Sequence, residues 1–167
     1  MTDFIVLVDK EDNLLGKEEK LSAHKQGKLH RAFSVFVFNS KGELLIQKRA
    51  KDKYHSARLW SNTCCSHPVT QDTKKEAKAR LKEEMGFSCD LKEAFSFTYK
   101  IEFSNGLTEH EFDHIFIGKY DGPVNPDKKE AMDYKWVSVK DLKKDIKKSP
   151  DKYTHWLKLC LDKVISS

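Results

Sequence analysis

Four cysteines in 167 residues are too few, and wrongly spaced, for a disulfide framework. Cys64 and Cys65 are neighbours, while Cys89 and Cys160 stand alone. All four read as reduced thiols of a cytosolic protein. No Cys-x-x-Cys pair is present, which argues against a zinc finger. No apolar run approaches the roughly 20 residues that span a bilayer. The opening residues, MTDFIVLVDKEDN, carry acids early and have no basic stretch before a long apolar run, which argues against a secretory leader. There is no internal repeat, low-complexity linker or shift of composition along the chain. The length suits one domain, residues 1–167. Nor is there a clean stripe of one charge. The formal net charge is +5, mostly from lysine. The lysines interleave with acids in KEEK, KKEAK and DLKKDIKK, the pattern of solvated faces rather than of a nucleic-acid footprint. A small acidic substrate such as a phosphate ester suits the same balance.

The patterns that are present predict an α+β domain, a mixed sheet with helices around it. Ile5–Val8 is a short apolar run, Asp9–Asn13 reads as a turn, and Leu14–Leu15 can pair back. Phe33–Phe38 predicts a strand. NSKG then turns the chain, and ELLIQKR returns along it as a hairpin. Residues 94–103 alternate, with Phe95, Phe97, Tyr99, Ile101 and Phe103 on one face. Leu107–Tyr120 and residues 131–139 predict two more strands. Asp72 or Thr73 caps a helix that Gly86 stops after Met85. One of its faces carries Ala77, Leu81 and Met85, and another carries Glu76, Arg80 and Glu84. A short charged helix covers 141–148. Trp156, Leu159, Cys160 and Val164 form the stripe of a last helix.

Several polar residues do not fit a purely structural reading. WSNTCCSHP, residues 60–68, places two cysteines and His67 in a run of small polar residues. His24 and His30 lie six apart, which is neither a helical turn nor a zinc-finger step. Glu109 and Glu111 share one strand face with Ile115 and Ile117. Carboxylates that point toward an apolar side must be paired, protonated or metal-bound. Three imidazoles and two carboxylates make an octahedral nitrogen and oxygen site rather than a tetrahedral structural one. A thiolate from Cys65 is an alternative ligand.

The segment ARLKEEMGF resembles the second half of the Nudix signature. Glu83, Glu84, Gly86 and Phe87 fit its end, but Ala79 and Arg80 stand where arginine and glutamate are expected. Replacing a metal-gathering carboxylate by Arg80 weakens a hydrolytic cluster and keeps attraction for a diphosphate. Together with AHKQGKLHRAFSVFVFN, LLIQKRA, LWSNTCCSHP, RLKEEMG, the EHE of 109–111 and EAMDYKWV, the chain resembles the metal-dependent (type I) isopentenyl-diphosphate isomerases. The resemblance runs from about Val8 to Trp156 and implies a Nudix-like mixed sheet flanked by helices.

It also implies roles, residue by residue. His24, His30, His67, Glu109 and Glu111 would hold one divalent ion, Mg2+, Mn2+ or Zn2+. Cys65 and Glu111 would be the catalytic pair, with Tyr99 supporting Glu111. Lys20, Arg49, Lys53 and Arg80 would grip the diphosphate, and Glu84 would meet a Mg2+ carried with it. Trp156 and Trp60 would face the isoprenoid. Cys64 is left as a small buried hydrophobe. The partner implied is a small isoprenoid diphosphate, with neither nucleic acid nor membrane, in the cytoplasm. A Nudix-type diphosphate hydrolase is the alternative, and Arg80 is the feature against it. A non-catalytic binding protein would leave Cys65 and Glu111 without purpose.

Overall fold

Strand β3 (His30–Phe38) organises the sheet. Its sequence, HRAFSVFVF, is rich in β-branched and aromatic residues, and all but the last are buried. The computed structural model describes residues 3–167. Within them β3 runs parallel to β8 (Thr108–Lys119), from His30 opposite Glu111 to Phe38 opposite Lys119. Strand β7 (Leu91–Glu102) lies antiparallel along the far side of β8, joined through the SNG turn. β1 (Phe4–Val8) and β2 (Leu14–Glu19) form a hairpin whose turn is held by the Asp9 carboxylate, which accepts from the Glu11 and Asn13 amides. β1 touches β3 through Leu7 opposite His30.

The expected hairpin after β3 is present only at its base. β4 (Glu43–Arg49) pairs with β3 at a single position, Phe38 opposite Leu44, and the two strands then splay. The WSNTCCS segment enters the gap. β5 (Trp60–Ser61) pairs with β4, and β6 (Cys64–Ser66) pairs with β3 at Phe33, Ser34 and Val35. The other edge of β4 is covered by β9 (Ala131–Ser138). Between β5 and β6, buried side chains replace the missing ladder. Asn62 Nδ2 donates to the Val35 and Cys64 carbonyls at 3.1 and 2.9 Å. Thr63 Oγ1 accepts from the Val37 amide at 2.9 Å and donates to the Leu45 carbonyl at 2.6 Å. Buried backbone groups must be paired, and these two residues do it across the split.

Helices cover both faces. α2 (Thr73–Met85) follows its sequence signals: Asp72 accepts from the Lys75 amide, and Gly86 ends it at φ 78°. Its Ala77, Leu81 and Met85 pack on Phe33, Val35 and Phe116. α3 (Val139–Lys148) and α4 (His155–Ile165) pack on the opposite side against Phe36, Leu44, Ile46 and Ile115. α4 buries Trp156, Leu157, Cys160, Leu161 and Val164, whereas Leu159, expected in the stripe, is 45% exposed. The stripe is wider than steps of three and four from Trp156 alone suggest, so Leu157 and Leu161 take the core positions. The short helix α1 (Lys20–Gln26) was not foreseen. The Glu19 carboxylate caps it, accepting from the Leu21 and Ser22 amides, and Gly27 closes it in the left-handed region. No helix among the described residues is long and apolar enough to cross a membrane.

Gly86 also lies against the loop 121–130. A Cβ there would run into the Asn125 carbonyl, and the Asn125 and Asp127 amides donate to the Met85 and Glu84 carbonyls. Gly86→Ala should therefore cost about 1–3 kcal/mol from its backbone conformation alone. Urea unfolding checks this, and an unchanged midpoint would mean that neither the left-handed backbone at Gly86 nor the Asn125 contact carries a cost.

Candidate active site

The six-residue step from His24 to His30 has a simple structural origin. α1 presents His24 inward, Gly27 turns the chain, and β3 begins at His30, opposite Glu111. Each imidazole is oriented from behind. His24 Nδ1 donates to the Lys20 carbonyl at 2.6 Å, and His30 Nδ1 donates to the Lys28 carbonyl at 2.8 Å. Both Nε2 atoms are thereby left to point at the β8 carboxylates, the arrangement in which metal-binding histidines are typically held. His24 Nε2 is 3.0 Å from Glu109 Oε1, and His30 Nε2 is 3.6 Å from Glu109 Oε2. His67 Nε2 is 3.1 Å from Glu111 Oε1. Donor atoms of His24, His30, His67 and Glu109 lie within 4.8 Å of one another. Glu111 stands beside them, next to His67.

Lone pairs converging in a buried site repel unless a cation lies among them, either a proton or a metal ion. His30 shows this demand. Burial pushes its pKa down, but the nearby carboxylates of Glu109 and Glu111, 3.6 and 3.8 Å from Nε2, outweigh burial and lift it to about 10. Burial would raise the Glu109 carboxyl, yet the imidazoles gathered around it, with His24 and His55 in hydrogen-bond contact with Oε1, hold it well below the usual range. His30 Nε2 and Glu109 Oε2 are buried without a hydrogen-bond partner. These donors suit a divalent ion that accepts nitrogen and oxygen ligands.

A cavity of about 830 Å³ opens above this cluster. The β6 strand decides which cysteine enters it. Cys64 turns into the α2 core and is fully buried, while Cys65 lines the cavity. Burial pushes the Cys65 thiol up to about 12, against the pull of the Arg49 guanidinium, whose NH1 is 4.0 Å from Sγ. Tyr99, from β7, donates to Glu111 Oε2 at 2.7 Å. Burial and Glu111 together raise that phenol well above its ordinary value, so it stays a donor. Trp156 forms one wall. Its Nε1 donates to Ser61 Oγ and Asn62 Oδ1, each at 3.0 Å, and the Arg49 guanidinium lies 5.2 Å from its ring centroid.

Four cations line the same cavity: Lys20, Arg49, Lys53 and Arg80. Burial pulls the Lys20 ammonium down from its ordinary value. Arg49 Nε and Arg80 Nε are buried donors without a partner. Arg80 also reaches Glu84 Oε1 at 2.7 Å, and the second Glu84 oxygen accepts from Gln47 Nε2 at 3.0 Å. A concave site with this much fixed positive charge suits an anion of two or more charges.

Trp60 does not reach the cavity. Its ring lies under Lys135, whose Nζ is 4.5 Å from the centroid, and packs with the α3 and α4 cluster. The expectation of a second pocket tryptophan is therefore corrected: β5 alternation sends Ser61, not Trp60, toward Trp156. Four residues of the site were not foreseen. His55 Nε2 meets Glu109 Oε1 at 2.5 Å, and its ring stacks on Phe103 at 4.5 Å. Tyr54 lies edge-on to His24. Glu130 bridges Lys53 and Arg80. Asp113 is fully buried, and burial together with Glu111 raises its carboxyl well above the usual range. Asp113 carried a signal, since it continues the parity of Glu109 and Glu111, and Glu130 opens the EAMDYKWV segment of the resemblance. His55 and Tyr54 sit on a loop without periodicity.

The fold and this site define a Nudix protein: the NUDIX domain matches residues 28–157. A crystal structure of a Deinococcus radiodurans protein shares the fold at a TM-score of 0.73, with 18% identity, covering 88% of this chain and 90% of that one. Curated relatives are narrower in kind. The chain is 54% identical to "Isopentenyl-diphosphate Delta-isomerase 2" of Aromatoleum aromaticum, over 99% of this chain and 88% of the relative. It is 50% identical to the protein of the same name from Photorhabdus laumondii, over 95% and 90%. The chain belongs to the isopentenyl-diphosphate delta-isomerase family, within the Nudix fold.

The two neighbouring thiols should differ in reactivity. Cys64 and Cys160 are fully buried and should resist iodoacetamide in the native protein, while Cys65 should react slowly. Below a raised pKa the thiolate fraction grows about tenfold per pH unit. Cys65 labelling should therefore keep accelerating between roughly pH 7 and pH 9. Peptide mapping by mass spectrometry checks this, and a plateau near neutrality would reveal a thiolate paired with Arg49 instead.

Proposed function

We propose that this chain interconverts isopentenyl and dimethylallyl diphosphate by adding and removing protons, with residues 1–167 acting as one cytoplasmic unit. The observation that carries the reading is the placement of Cys65 and Glu111 on one cavity that is also lined by four cations. The alkene of a homoallylic diphosphate is unactivated. One group must give a proton to the terminal carbon, leaving a tertiary cation. A second group, across the flat hydrocarbon, must then take a proton from the adjacent methylene. Cys65 and Glu111 are this pair. Tyr99 orients Glu111 through its hydroxyl. The Trp156 ring faces the carbon skeleton and stabilises a passing cation by roughly 0.5–2 kcal/mol.

Lys20, Arg49, Lys53 and Arg80 anchor the diphosphate, with Arg49 reaching furthest toward Cys65, so binding energy positions the alkene. His24, His30, His67, Glu109 and Glu111 would hold a divalent ion, Mg2+, Mn2+ or Zn2+, which when bound supplies positive charge beside Glu111 and lowers its proton affinity. Glu84 would meet a Mg2+ accompanying the diphosphate. Arg80, paired to Glu84, replaces a carboxylate where a hydrolase needs one, which supports isomerisation over diphosphate cleavage.

Cys65→Ala should lower turnover by roughly 10²–10⁴-fold, while Cys64→Ala should stay within a few-fold. Run in deuterated water, the wild-type reaction should place deuterium in both isomers. Full retention of the original hydrogens, or loss of turnover in Cys64→Ala with survival in Cys65→Ala, would reject this pair.

Glu84→Gln should weaken substrate use and its Mg2+ dependence more than it weakens metal retention by the histidine cluster. If Glu84 served only as the Arg80 ion pair, its loss would cost about 0.3–0.5 kcal/mol of stability. Steady-state kinetics at varied Mg2+, together with metal content after dialysis, separate the two roles.

A further inference from the structure

One carboxylate that lines the cavity beside Lys53 and Arg80 has no part in the scheme above. Glu130 closes the loop 121–130, just before β9. Its backbone is pinned from two sides. Its carbonyl accepts from the Ala50 amide at 3.0 Å, next to Arg49. Its amide donates to the Asp127 carbonyl, and the Asp127 amide donates to the Glu84 carbonyl, each at 2.9 Å. The side chain is thus delivered by a fixed backbone, and it is only 24% exposed. Oε2 accepts from Lys53 Nζ, and Oε1 lies 3.3 Å from Arg80 NH2. Burial would raise this carboxyl, but Lys53 and then Arg80 hold it low. The other carboxylates of Arg80 are committed elsewhere: Glu84 also accepts from Gln47, and Glu83 is exposed. Glu130 contacts only the two cations assigned to the diphosphate.

We propose that Glu130 is an internal competitor for the diphosphate, a positioning residue that bridges Lys53 and Arg80 and sets how tightly the cradle holds its anion. The inference rests on the diphosphate reading above. Substrate and product of an isomerisation carry the same diphosphate. Attraction for that group is therefore uniform along the reaction, and excess of it lowers the Michaelis constant without raising turnover. A built-in carboxylate offsets the excess. It also holds Lys53 and Arg80 at the right separation, since two neighbouring cations would otherwise repel.

The test uses inorganic diphosphate and the whole protein. Calorimetric titration should show Glu130→Gln binding it about tenfold tighter than wild type, an increment of about 1.4 kcal/mol. Glu130→Asp keeps the charge and should remain near wild type. In steady state Glu130→Gln should lower the Michaelis constant and leave turnover equal or reduced. Should the variant be destabilised, its melting temperature should still rise more on adding diphosphate than that of wild type. Equal or weaker binding by Glu130→Gln, with Arg80→Met binding poorly, would overturn the competitor while leaving the cradle intact. If Arg80→Met bound diphosphate as well as wild type, the cradle reading would fail and the competitor with it.

Discussion

The fold depends on how the split between β3 and β4 is filled. Two strands that begin as a hairpin and then part would leave buried amides and carbonyls without partners. Asn62 and Thr63 supply side-chain partners to both strands, and Gln47 adds a bond to the Thr63 carbonyl at 2.8 Å. The run of small polar residues around the cysteines is therefore structural in origin. Once that run is wedged in place, β6 alternation points Cys65 at the cavity, and the chain leaves the sheet at His67. The same wedge fixes Trp156 through Ser61 and Asn62. A geometric need of the backbone thus sets the positions of thiol, imidazole and indole together.

A second constraint is charge. Glu109, Glu111 and three histidines are gathered in a largely buried cluster at the floor of the cavity, and such a set is costly unless a cation shares it. The surrounding protein is arranged to accept that cost rather than to avoid it. The Lys20 and Lys28 carbonyls fix two rings, Tyr99 takes one oxygen of Glu111, and His55 and Tyr54 approach Glu109 from the cavity side. These outer partners leave little freedom for the inner donors, so their convergence is preset by the fold.

What the sequence revealed, and what it concealed, follows from periodicity. α2 was legible because Asp72, the step of four and Gly86 agree. β8 was legible because Glu109 and Glu111 share a parity with Ile115. β5 and β6 were not, since two or three residues are too short to show alternation. α1 was missed because its charged sequence has a single buried face of Ala23 and His24, with a carboxylate cap from Glu19 rather than a serine or threonine. In the site, the residues on regular elements were recoverable through the resemblance to known isomerases. Trp60 was misplaced because β5 sends alternate side chains to opposite faces, and its register could not be read from so few residues. His55 and Glu130 depend on loop paths that only the tertiary packing determines.

The parallel pairing of β3 with β8 has a consequence for how the molecule comes to exist. His24 and Glu109 stand 85 residues apart in the chain, and the His30–Glu111 pairing cannot form locally. Parallel pairings over such distances are slow, because loop closure must precede any reward from contact. The histidine and glutamate cluster is thus not assembled until β3 and β8 have paired, and an ion that needs the whole cluster favours chains in which that pairing is complete. Such an ion would act as a proofreader of folding, stabilising completed molecules by mass action and leaving incomplete ones to unfold.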